Sequence, residues 1–317
     1  MNLVSIGLNS VSRCLGGWRT FVESISNSKT TQMEKQQVWF ITGASKGFGL
    51  ELVKQLRQQG HLVAATSRNV AELRQAAGPD AADFLPLAVD LGTEASVGVA
   101  IAATVAQFGR IDVVANNAGY GQLGSLEELS DAEARANFEV NVFGTLHVIR
   151  QVMPQLRKQQ SGHILNFSSI AGIMGQFPGW GIYCATKFAV EGLSESLAAE
   201  VAPFDVKVTI VEPGYFRTNF LDSGSLRTAE NQLDEYTLVR ESEALHQQQI
   251  KGSQPGDPVK AVAAIIEVAA APNPPLHLLL GQDAYDMTNM KIKALQDDMA
   301  QWKHVTVATG FGEPATT

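Results

Sequence analysis

Runs of aliphatic and β-branched residues recur along the chain, each followed by a stretch in which apolar positions return every three or four residues. Val38–Thr42, Leu62–Thr66, Phe84–Val89, Ile111–Ala115, His163–Phe167, Val206–Val211 and Leu276–Leu280 are short and rich in apolar residues, as strands buried on both faces are. Helix-period segments separate them, one from the glycine turn after Thr42 to about Gly60, the others near 70–77, 93–108, 131–159, 183–202 and 258–271. Such alternation predicts an α/β fold, a mostly parallel, doubly wound sheet of about seven strands with helices on both faces. No second run of such units, internal repeat or Gly/Ser linker interrupts it, so residues 33–317 are expected to form a single domain.

Two regions depart from this rhythm. Residues 215–256 follow a Pro-Gly turn and mix polar and apolar positions where a tight connection belongs. Loops this long are usually binding lids or carry helices of their own, so a substrate-loop insertion is expected there. The tail after Ala284 reads as one more helix, to about Trp302. Residues 1–32 contain Arg13, Arg19, many serines and Glu23 as their one acid, without a basic start leading into an apolar core. They are expected to be an N-terminal extension, disordered or upstream of a start at Met33, with an organelle transit segment as the alternative.

Composition narrows the function classes. Twenty-four basic and 32 acidic residues give a formal net charge of −8, with no run of five like charges, so attraction to nucleic acid or an anionic membrane is not expected. No apolar run reaches the ~18 residues needed to span a bilayer. Cys14 and Cys184 are far apart, and His61, His147, His163, His246, His277 and His304 lack ligand spacing. A reducing, cytoplasmic setting without a metal site is therefore expected, with Cys184 a small buried hydrophobe and the histidines structural or surface residues.

Two clusters carry chemistry. Gly43, Ser45, Lys46, Gly47, Phe48 and Gly49 form a turn between the first strand and first helix, where glycines let the backbone approach a pyrophosphate at the helix N-terminus. In the first strand-turn-helix unit of an alternating chain, this points to a Rossmann-type dinucleotide site. Tyr183 and Lys187 are four residues apart, so on a helix they share a face. An ammonium beside a phenol favours the phenolate, which would bring the tyrosine towards neutral pH and let it exchange a proton with an alcohol or alkoxide.

The glycine spacing is Gly-x-x-x-Gly-x-Gly. Further on come Asn116-Asn117-Ala118-Gly119, Asn141, Ser168-Ser169, Tyr183-Cys184-Ala185-Thr186-Lys187 and Pro213-Gly214-Tyr215-Phe216-Arg217-Thr218. In this order, from Val38 to Leu280, they resemble the short-chain dehydrogenase/reductase family, and Tyr183–Glu200 looks most like its steroid and retinol dehydrogenase branch. The resemblance implies a catalytic set of Asn141, Ser169, Tyr183 and Lys187. Ser169 would hold the substrate oxygen, Asn141 a proton-relaying water, and Lys187 the nicotinamide ribose as well. Ser168 is the alternative to Ser169, since strand alternation turns only one of the two inward. It further implies Asn117, Ala118 and Gly119 near the adenosine ribose, Asp90 and Leu91 at the adenine, Pro213 and Gly214 beneath the nicotinamide ring, and Thr218 at its carboxamide. Asp90 has a second expected role, as cap of the helix that follows. Family members also imply a homodimer or homotetramer.

The acid that would bind a free ribose 2′-hydroxyl is replaced by Ser67, with Arg68 beside it and Lys46 in the glycine turn. Guanidinium and ammonium suit a 2′-phosphate, so NADP is expected over NAD. The expected activity is hydride transfer between this cofactor and a carbonyl or alcohol. Phe177, Pro178, Trp180, Phe216, Phe220, Leu221, Leu226 and Tyr236 flank the site and either favour a small hydrophobic substrate or simply close the pocket over the cofactor. The alternative is a cofactor-sensing or scaffolding protein on the same fold. Ester hydrolysis through Ser169 lacks a Gly-x-Ser-x-Gly elbow and an ordered Ser-His-acid set.

Overall fold

A computed structural model describes residues 36–222 and 224–311. The extension expected over residues 1–32 lies outside them. In chain order the elements are β1 (Val38–Ile41), α1 (Gly47–Gln58), β2 (Leu62–Ser67), α2 (Val70–Ala77), β3 (Phe84–Ala88), α3 (Glu94–Phe108), β4 (Val113–Asn116) and β5 (Gly121–Leu123). Then follow α4 (Asp131–Phe138), a π-helical turn (Glu139–Phe143), α5 (Gly144–Gln159), β6 (Gly162–Phe167), α6 (Gly181–Val201) and β7 (Val206–Pro213). Last come β8 (Leu226–Thr228), α7 (Thr237–Ala244), a second π turn (Leu245–Ile250), α8 (Pro258–Ala270), β9 (His277–Leu280) and α9 (Gln282–Thr306).

Seven strands form one sheet in the order β3-β2-β1-β4-β6-β7-β9. Every pairing in it is parallel. Alternation along β1 shows how the layers form. Trp39 and Ile41 pack with Leu52, Val53 and Leu56 of α1 and Val262 and Ile265 of α8. Phe40 points the other way, among Val97 and Ile101 of α3, Val148, Val152 and Leu156 of α5, and Leu197 of α6. Pro86 lies in β3, the edge strand, where a missing N–H costs no ladder bond on the open side. Local signals set several helix ends: Asn69 caps α2, Ser130 and Glu133 form a capping box on α4, and Asp257 caps α8 ahead of Pro258. Successive strands build outwards from β1 in both directions, so a crevice opens between β1 and β4 at their carboxyl ends.

The helix anticipated over 131–159 is interrupted. The π turn at Glu139–Phe143 divides it, and Asn141 in that turn bonds both main-chain groups of Tyr120, donating to its carbonyl and accepting from its N–H at 3.0 Å each. Residues 215–256 fold into a 3₁₀ turn (Asn219–Leu221), β8, α7 and the second π turn. β8 pairs in parallel with β5, Gly121 opposite Leu226 and Leu123 opposite Thr228. Among the described residues no helix is long and apolar enough to cross a membrane.

Candidate active site

The turn after β1 is held from behind by the segment after β4. Asn117 Nδ2 donates to the carbonyls of Thr42 and Gly43 at 2.9 and 3.0 Å, and Thr42 Oγ1 accepts from Ala118 N–H at 3.0 Å. This leaves no room for side chains: a Cβ at Gly43 would lie 2.8 Å from Ala118 Cα, and one at Gly49 2.5 Å from the Gly43 carbonyl. Gly43 and Gly47 also take φ of +67° and +57°, conformations that favour glycine. Lys46 provides no side-chain cap to α1, and the first turn of α1 holds no acid. Uncapped N–H groups and the positive end of the helix dipole therefore meet the cavity, a donor set that fits the diphosphate of a dinucleotide.

That cavity has a volume of about 630 Å³. All the residues assigned from sequence to cofactor or catalysis line it, except Gly49 and Asn141. Gly49 is buried under the turn, and Asn141 lies behind Gly119, where a Cβ on that glycine would be 3.1 Å from Asn141 Oδ1 and 3.5 Å from Lys187 Nζ. Asp90 lines the cavity and accepts from Gly92 N–H at 3.0 Å in the turn before α3, whose N-cap is Thr93 and not Asp90 as expected. Arg68 is exposed at the end of β2, while the Lys46 ammonium is 2.7 Å from where a Cβ on Gly224 would be and leans towards Asp222. Glu72, in the first turn of α2, lines the same wall.

Tyr183 and Lys187 occupy the first turns of α6 and are both buried. The Lys187 ammonium donates to the Phe167 carbonyl at 2.8 Å and lies 5.8 Å from the centre of the Tyr183 ring. Ser169 interacts with the Tyr183 phenol. Ser168 is turned the other way, with Oγ 3.5 Å from the Lys187 carbonyl and close to Glu191. Asn141 Nδ2 also donates to Thr186 Oγ1 at 3.0 Å, and Thr186 Oγ1 in turn donates to the Tyr183 carbonyl at 2.7 Å. The π turn and the Tyr183 helix are thereby cross-linked by polar groups.

The electrostatics differ from the simple ion-pair expectation. Burial pushes the Tyr183 phenol well above its ordinary value, with Ser169 opposing part of the rise. Burial also lowers the Lys187 ammonium to about 8, with the nearby Glu191 working against the fall. Desolvation disfavours both charged forms and outweighs their mutual attraction. The phenol thus stays protonated at neutral pH, poised as a proton donor. Cys184, buried beside it, has its thiol pushed up to about 11 and remains a neutral packing group.

Behind Lys187, Glu191 lies one turn along α6 and meets Glu212 at the end of β7. Burial raises both carboxyls above the usual carboxylate range, and the nearness of Glu212 adds to the rise at Glu191. His277 Nδ1 on β9 lies 2.7 Å from Glu212 Oε1. Glu191, Glu212 and His277 hold one ligand-type atom each within 4.8 Å of the others.

On the open side, Trp180 and Phe220 each approach the Tyr183 ring at 5.6 Å between centroids. Tyr215 and His246 share a hydrogen bond of 3.0 Å between hydroxyl and Nε2 and line the same cavity. Sequence reasoning gave no role to Thr186 or Glu191 and read His246 as a structural or surface residue, whereas it lines the cavity. The spacing from Lys187 could have flagged Glu191, but nothing local marks a histidine 63 residues past Tyr183 as part of its pocket.

A parallel sheet with an uncapped, glycine-built helix start at its switch point, and a buried Tyr-Lys pair beneath, defines a nicotinamide-dependent oxidoreductase. The chain belongs to the short chain dehydrogenase family, whose pattern it matches over residues 37–228. It is similar to 3-ketodihydrosphingosine reductase of Bacteroides thetaiotaomicron, 37% identical over 272 residues that cover 84% of this chain and 96% of that one. A solved short-chain dehydrogenase of Streptomyces avermitilis has 39% identity and a TM-score of 0.80, covering 87% of this chain and 100% of its own. Two more distant structures carry different cofactors. The 3-ketoacyl-(acyl-carrier-protein) reductase of Brucella melitensis, with NADH, is 26% identical with a TM-score of 0.64 over 78% of this chain and 97% of that one. A Burkholderia cenocepacia short chain dehydrogenase, with NADP, is 25% identical with a TM-score of 0.65 over 85% and 98%.

Proposed function

We propose that the chain is an NADPH-dependent reductase of a small hydrophobic carbonyl compound, able to oxidise the corresponding alcohol in reverse. The observation that carries this reading is the buried, protonated Tyr183 beside Ser169, Trp180 and Phe220 in a cavity that continues to the glycine turn. A reduced nicotinamide, when bound, supplies the hydride. Ser169 holds the substrate oxygen by a hydrogen bond, and Tyr183 donates its proton to that oxygen as charge develops there. The Lys187 ammonium, one turn below, stabilises the phenolate left behind. Asn141 and Thr186 position the turn of α6 that carries Tyr183. Trp180, Phe220 and Leu221 exclude water and suit an apolar substrate body.

The choice of NADPH rests on Arg68 and Ser67. Among the described residues Arg68 has no ion-pair partner, and Ser67 presents no negative charge to a phosphate. A charged hydrogen bond to a 2′-phosphate is worth ~1.5–3 kcal/mol, roughly ten- to a hundredfold in affinity. Steady-state assays with a panel of ketones and aldehydes should give kcat/KM at least about tenfold higher with NADPH than with NADH. Arg68→Asp should erase that preference. Equal or better efficiency with NADH in the unaltered protein overturns the assignment.

A further inference from the structure

The C-terminal helix α9 is anchored at one end only. Ala284 is buried, Met287, Thr288 and Lys291 are half-buried, and every residue from Ile292 to Thr306 is exposed. At 1.5 Å per residue that free portion is ~22 Å long. A helix exposed on all sides is marginal in water on its own, and one that also displays apolar residues asks for a partner.

The exposed residues specify what kind. Tyr285, Ile292, Leu295, Met299 and Trp302 are each between 48% and 65% exposed. With Thr288 and Thr306 they form the series 285, 288, 292, 295, 299, 302, 306, spaced alternately by three and four. Such a period of 3.5 makes a straight seam that another helix fills, knobs into holes. The charges divide accordingly. On the outer face Lys293 pairs with Asp297 within the helix. Lys291 and Asp298, which flank the seam seven residues apart, have no ion-pair partner among the described residues. No residue of α9 lines the cavity.

We propose that α9 is a self-association helix, pairing antiparallel with α9 of a second copy of this chain. In an antiparallel pair the same flank of each helix faces itself. Setting Ile292 against the partner subunit's Leu295 puts Tyr285 opposite the partner subunit's Trp302 and Thr288 opposite the partner subunit's Met299. It also sets Lys291 beside the partner subunit's Asp298, twice over by symmetry. Slipping the register by one heptad would bring Asp298 against the partner subunit's Asp298 and shorten the seam. Orientation follows from the anchored end: helix axes in a pair lie about 8–10 Å apart, so parallel pairing would drive the two sheet-bearing bodies into each other. Antiparallel pairing keeps them at opposite ends.

The full chain should sediment as an oligomer at micromolar concentration. Leu295→Glu should halve its mass while leaving reductase activity within about twofold. Lys291→Asp should weaken association, and adding Asp298→Lys in the same chain should restore it. In a Cys14→Ser background, Tyr285→Cys with Trp302→Cys should give an oxidised, disulfide-linked dimer. Neither single variant should, because the antiparallel register brings the two positions together only across the pair. A monomeric wild-type chain, an unchanged mass in Leu295→Glu, or cross-linking by Tyr285→Cys alone overturns the proposal.

Discussion

A single hydroxyl carries most of the chemistry assigned to this site. Tyr183 keeps its proton because burial disfavours the phenolate, and in the proposed reaction it gives that proton up when a basic alkoxide forms against it. Tyr183→Phe removes the donor without changing the packing against Trp180 and Phe220. Turnover should fall ~10²–10⁴-fold, with cofactor affinity and the circular dichroism spectrum unchanged. Steady-state rates and a cofactor fluorescence titration measure both, and retention of more than about a tenth of the turnover is incompatible with the role. At this scale spacing and residue type made much of the candidate constellation readable. Tyr183, Lys187, Ser169 and the glycine turn from Gly43 to Phe48 line one cavity. The direction of the tyrosine's pKa shift was not readable, because helical spacing reports proximity and says nothing of how much water the fold removes.

Buried strands announce themselves as apolar runs, and even the half-buried edge strands β3 and β9 keep enough apolar residues that all seven strands of the main sheet lie where the hydrophobic pattern puts them. The π turn at Glu139–Phe143 is different. Its cause is the bonding of Asn141 to Tyr120 and Thr186, partners 21 and 45 residues away, and no local pattern encodes that. The three-residue strands β5 and β8 are likewise too short to show a period. Inside β6 a buried polar residue sets a pH response. His163 is buried, lies 3.0 Å from Thr209 Oγ1, and has its pKa lowered to about 4 by loss of solvent. In the unfolded chain it titrates near 6.5, so between these values the unfolded state binds the extra proton. Stability from this residue is complete above pH ~6.5 and is lost as pH falls towards 4, by about 3 kcal/mol. Denaturant midpoints from pH 7 to pH 4 should fall less steeply in His163→Gln than in the wild type. Equal slopes would mean that the ring titrates freely in the folded protein.

At the scale of the whole molecule, the pairing of β5 with β8 joins two regions with different duties. β5 begins two residues after Gly119, on the side assigned to the cofactor, while β8 belongs to the segment proposed to cover the substrate. Gly121 N–H donates to the Ser225 carbonyl, Ala229 N–H to the Leu123 carbonyl, each at 2.8 Å, and the Arg227 guanidinium stacks over Tyr120. Whatever steadies residues 117–120 must then steady the cover, and the influence runs equally in both directions. NADPH should therefore slow tryptic cleavage at Arg227 and Arg240, whereas cleavage at the same rate with and without NADPH would show the two regions to be independent. The equilibrium counterpart is synergy, each ligand tightening the binding of the other by the same factor. A substrate analogue should then lower the Kd of NADPH by the factor by which NADPH lowers that of the analogue, and a three-residue ribbon would be what ties the two binding events together.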